Sequence, residues 1–143
     1  MPHTYEWAVL RVVPRVERGE QVNVGVVVYC RALDYLGVWV SDDLSRAVAI
    51  APDLDVDAVR LHLDAVVAVC AGAPEAGGSG RRTPGDRFRW LVAPRSTVVQ
   101  TSPVHTGITD DPVAELRDLA RTMVAWPPGA DPAPGPPGAT LLP

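Results

Sequence analysis

Apolar and polar positions alternate along residues 4–13: Tyr5, Trp7, Val9, Arg11 and Val13 fall on one face, Glu6, Ala8, Leu10 and Val12 on the other. Both faces are largely apolar, which predicts a strand covered on both sides. Pro14 ends it, and the polar run 15–21 predicts a turn or wide connection. Residues 22–31 carry the strongest strand signal, with Val22, Val24, Val26, Val28 and Cys30 on one face and Asn23, Gly25, Val27 and Tyr29 on the other. A short connection leads into residues 35–40, so the second and third strands predict a hairpin.

The first helix is predicted over residues 55–71, capped by Asp53, with Val56, Val59, Leu63, Val66 and Cys70 forming a stripe at spacings of three and four. It should dock on the sheet. Residues 72–86 are rich in Gly and predict a surface loop. Residues 88–92 and 96–101 read as short strands split by Ala93-Pro94, where the proline argues for an edge, bulge or bend. Asp111-Pro112 predicts a second helix start, with Val113, Leu116, Ala120 and Met123 as its apolar stripe. Residues 127–143 are crowded with Pro and Gly and predict an extended, disordered tail. The reading is therefore one α+β domain over residues 1–126: an antiparallel sheet of four or five strands, with two helices packed on one face.

Composition narrows the setting. With 143 residues there is room for one domain with a sizeable core. The apolar runs are far shorter than the roughly 18 residues a membrane-spanning helix needs, and the first residues lack a basic leader pattern, so the cytoplasm is the expected compartment. All 13 basic residues are Arg, beside abundant Ala, Val, Pro and Gly, the signature of a GC-rich bacterial genome. The net charge of −4 disfavours nucleic acid as a general partner. Cys30 and Cys70 continue apolar stripes and are expected to be buried, reduced thiols. With His only at 3, 62 and 105, no metal-ligand spacing is present, and no metal or other cofactor is expected.

Three constellations could carry chemistry. Arg11 sits on a face otherwise built from Tyr5, Trp7, Val9 and Val13, so its charge needs a carboxylate, Glu17 first, or an anion from outside. Asn23 and Gly25 accompany it; a Gly inside a strand signals close approach of another backbone or of a ligand. Next, Arg95-Ser96-Thr97 with Ser102-Pro103-Val104-His105-Thr106-Gly107 crowds an Arg, hydroxyls and a His into one expected loop. The third is the basic stretch Arg81, Arg82, Arg87 and Arg89 with Phe88 and Trp90, which could clamp phosphate or simply remain a solvated loop. No phosphate-cradling glycine motif, nucleophile elbow or kinase signature is present.

The strings running from Tyr5 to Glu17, Glu20-Gln21-Val22-Asn23-Val24-Gly25-Val26, Phe88-Arg89-Trp90-Leu91 and Ser102-Pro103-Val104-His105-Thr106-Gly107 resemble the bacterial family termed "domain of unknown function 3037". The specific parts are Glu-x-x-Asn-x-Gly-Val and Ser-Pro-x-His-x-Gly; Gln21 stands where an aromatic residue is expected. The resemblance brings no activity. It implies an actinobacterial setting beside HipA-like serine/threonine kinases.

These readings converge on a non-catalytic binding or regulatory module acting with a HipA-like kinase, using Arg11, Asn23, Arg95, Ser96, His105 and Thr106. A small anionic ligand is compatible with that set. The alternative is a small hydrolase or nuclease-like transferase working on an anionic substrate through His105 with Glu17 or Asp110, and a third is a structural subunit that self-associates through a sheet edge. The loop carrying Arg95 and His105 is expected to lie beside Arg11 and Asn23.

Overall fold

Five antiparallel strands form one sheet: β1 (His3–Val12), β2 (Val22–Cys30), β3 (Tyr35–Val40), β4 (Val99–Thr101) and β5 (His105–Thr109). The computed structural model describes residues 1–73, 77–78 and 82–132. The order is β3-β2-β1-β4, and β5 pairs with the N-terminal half of the same β1 edge whose C-terminal half pairs with β4. Hence β1 is central, and every residue of β3 is buried. The α+β architecture and antiparallel sheet agree with the sequence reading. The helical part is larger and divided between the faces: α1 (Ser45–Ile50), α2 (Val56–Ala71), α3 (Pro84–Leu91) and α4 (Pro112–Leu119), the last continued by a π-helical turn at Ala120–Val124.

Both sides of the sheet are apolar, and each needs its own cover. On one side Ala8, Leu10 and Val12 of β1 join Leu36, Val38 and Val40 of β3 against Ala47 of α1, Val59, Leu63 and Cys70 of α2, and Phe88 and Leu91 of α3. On the other, Tyr5, Val26, Val28, Cys30, Tyr35 and Trp39 pack under Leu116, Leu119, Ala120 and Val124. Both cysteines are buried and unpaired, and Asp111 does cap α4, accepting from the amides of Val113 and Ala114.

Four local expectations are corrected. The strand expected at residues 88–92 is the body of α3. Thr83 accepts from the Asp86 amide, Pro84 occupies the first turn, and Phe88 and Leu91, three apart, turn inward. The cap of α2 is Asp55, whose carboxylate accepts from the Ala58 amide, and Asp53 instead pairs with Arg15. Residues 105–107, expected as the end of a loop, belong to β5.

The fourth correction concerns β2, whose faces do not alternate throughout. Leu10 pairs with Gly25 but Arg11 pairs with Asn23, so Val24 is an extra residue in a bulge. Val24 therefore shares the α2 side with Val27, while Val26, Val28 and Cys30 face α4. Gly25 has a packing reason: an added Cβ would lie 2.8 Å from the Trp39 carbonyl oxygen and 3.0 Å from Leu10 Cδ1. The close approach is by backbone.

The Pro- and Gly-rich tail begins folded back. The Gly129 amide donates to the Arg121 carbonyl, and Ala130 to that of Pro127. Residues 133–143 lie outside the described residues, as do 74–76 and 79–81 of the Gly-rich connection.

Candidate functional site

The sheet decides which candidate residues can meet. Arg11 and Asn23 are cross-strand partners, and both face the α4 side. His105 is the register partner of Trp7, and their rings stack with centroids 4.5 Å apart. Trp7 and Arg11 are four residues apart on one strand face, about 13 Å at the usual rise. His105, Trp7, Arg11 and Asn23 therefore lie along one stretch of surface. Gln100, the partner of Arg11 on its other side, completes it.

Thr106 pairs with Glu6 and points the opposite way, toward α3, where Arg89 grips both Glu6 oxygens at 2.9 and 2.8 Å. Arg95 and Ser96 also belong to that side. Arg95 stacks 4.2 Å over the Trp90 ring and donates to the Trp90 carbonyl, while Ser96 lines a cleft beside α2. The six candidates thus divide into Arg11, Asn23 and His105 on one face and Arg95, Ser96 and Thr106 on the other.

Arg11 and Glu17 form no ion pair among the described residues. Glu17 is exposed in a short 3-10 helix (Val16–Arg18) beyond the end of β1, and Nε of the half-buried Arg11 is enclosed without an acceptor. Asp110 lies at the opposite end of β1 and pairs with the amino terminus at 3.5 Å. Among the described residues, His105 hydrogen-bonds neither carboxylate. Asn23 is engaged: its side-chain amide donates to the Met123 carbonyl at 3.0 Å, while Arg46 donates to the carbonyls of Asn23 and Val124. Together they anchor the π-helical turn to β2.

The Ser-Pro-x-His-x-Gly segment is seated against β1. Ser102 is buried; its hydroxyl accepts from the Val9 amide at 2.9 Å and donates to the Pro103 carbonyl, and its own amide donates to the Val9 carbonyl. The side chain thereby carries the β1 hydrogen bonding across the break between β4 and β5. At Gly107 an added Cβ would meet the Tyr5 ring at 2.6 Å. The Tyr5 hydroxyl reaches Glu115 of α4, and burial, then that carboxylate, raises its pKa. Sequence reasoning missed these roles because His105 and Gly107 gain partners only through the β1–β5 register.

The described arginines of the basic stretch are largely engaged by the protein. Arg87 donates to the carbonyls of Arg82 and Cys70, and Arg89 holds Glu6. Arg81 lies outside the described residues. Burial pushes the Cys70 thiol up to about 12. No group of three metal-ligating side chains occurs among the described residues, and none of their helices is long and apolar enough to cross a membrane.

The site residues that carry the two specific motifs are thus held against β1, the central strand of the α+β domain. The family model described as "Protein of unknown function (DUF3037)" matches residues 7–124. The chain belongs to this family. Membership accounts for the motifs and assigns no chemistry to them. No curated protein and no solved structure matched the chain.

Proposed function

We propose that this DUF3037 protein is a non-catalytic binding or regulatory module of the bacterial cytoplasm, acting with a HipA-like serine/threonine kinase. Its docking surface is the α4-side strip along β1 and its β4 and β5 neighbours: the Trp7–His105 stack, Arg11 and Gln100. α4 and the π-helical turn pack over β2 and β3. The strip beside them keeps His105 exposed and Trp7, Arg11 and Gln100 half-buried.

The observation that carries this reading is Arg11. A guanidinium held on an apolar strand face, with no described carboxylate beside it, is best satisfied by an acceptor from a partner. Trp and Arg at the centre of a patch are also the residue types that dominate interface energetics. An acidic side chain or phosphate group on the kinase surface is the complementary chemistry. The experiment is co-purification of the chain with a HipA-like kinase from the same genome, comparing wild type with Arg11→Glu. Retention by wild type and loss in the variant are expected; equal retention of both removes the docking surface.

A further inference from the structure

A cleft of about 580 Å³ opens on the other side of the sheet, between the start of α2 and the segment 96–99 that leads into β4. Val16, Ala58, Val59 and Val98 supply apolar wall, and His62 and Ser96 are polar side chains on it. Val16 and Val98 are left 49% and 37% exposed, so aliphatic surface stands in water around the opening. The volume falls in the range of small-molecule sites.

The charges nearby are already committed. Arg15 pairs with Asp53 at 3.2 Å, Asp55 caps α2 through the Ala58 amide, and Arg95 is folded onto Trp90. Each of these charged side chains already has a protein partner, which lessens its pull on a charged occupant. His62 and Ser96, by contrast, make no side-chain hydrogen bond to any described residue, although each can make one. Burial, then the nearby Arg95 charge, holds the His62 ring below its ordinary pKa, so near neutral pH the ring is uncharged and offers one bare nitrogen as an acceptor.

We propose that this cleft is a binding site for a small, uncharged, largely apolar molecule carrying one N–H or O–H donor, which His62 accepts. The site is independent of the docking strip, since the sheet separates them. Indole, an apolar body with one N–H, is the probe, and 1-methylindole is the control that lacks the donor. Each is titrated into the full chain while backbone amide resonances are followed by NMR.

Indole should give saturable shifts confined to residues 15–16, 51–62 and 96–99, which line the cleft, and 1-methylindole should bind about fivefold more weakly, the loss of one hydrogen bond. His62→Ala should erase that difference, and Ala58→Phe should block both compounds by filling the wall. If Ala58→Phe fails to fold, Val98→Trp at the exposed rim provides the blocking test. Shifts scattered over the surface, equal binding of the two compounds to wild type, or undiminished binding to a folded blocking variant would each overturn the assignment.

Discussion

His105 lies directly across from Trp7 in the β1–β5 register, and the two rings stack at 4.5 Å with an interplanar angle of 30°. The pair does two things at once. It fastens β5 to the central strand, and it sets an aromatic surface on the same sheet face as Arg11. Because His105 itself is exposed, the stack should matter less to folding than to what touches it. His105→Ala is expected to lower stability by about 0.5–1.5 kcal/mol, the scale of an aromatic pair, as read by urea denaturation. A loss above about 3 kcal/mol would make His105 a core strut and remove it from the surface.

Ser102 should behave in the opposite way. Its hydroxyl accepts from the buried Val9 amide, so Ser102→Ala leaves that donor without a partner in the sheet. The expected cost is about 1–3 kcal/mol, with faster hydrogen exchange at Val9. Unchanged exchange at that amide, with wild-type stability, would contradict the strut role.

The bulge at Val24 makes a prediction at Gly25. A methyl group there would collide with backbone at the Trp39 carbonyl and with the Leu10 side chain. Gly25→Ala should destabilise by about 1–3 kcal/mol through overpacking. A neutral effect would show that the β2–β3 spacing relaxes easily.

His62 gives a pH dependence with a definite sign. Its folded pKa is depressed below the ordinary 6.5, mainly by burial, so the unfolded chain binds the proton more readily. The contribution is fully present above about pH 6.5 and is lost as pH falls from there through the folded pKa. His62→Gln should flatten this part of the profile between pH 7.5 and 5.5 in thermal melts. An unchanged slope in the variant would place the dependence on other groups.

The long elements were legible because their patterns are local. β1 and α2 each carry a clean period, β2 and β3 are apolar runs bounded by turns, and Asp111-Pro112 marks α4 by its cap and its proline. Short elements were misread where one feature outweighed the pattern. Residues 88–92 read as a short strand, but the Thr83 cap and Pro84 set a helix. In β2 a single bulged residue, Val24, reversed the faces of everything after it. The candidate site was legible as residue types but not as a place. Arg95 and His105 are close in sequence, yet Arg95 lies before β4 on the α3 side while the alternation of β5 turns His105 to the α4 side, so Arg95 stacks on Trp90 and His105 on Trp7. The cleft at His62 had no sequence signal, since it arises from the approach of three distant segments.

The most direct test of the docking strip is isothermal titration of a HipA-like kinase from the same genome with wild type, Arg11→Ala, His105→Ala and the double variant, each first shown to be folded by its thermal melt. A centrally placed Arg and aromatic stack should each contribute on the order of 1–2 kcal/mol to binding, so each single variant should weaken affinity about tenfold and the double variant further. Affinity equal to wild type in the folded double variant would contradict the account.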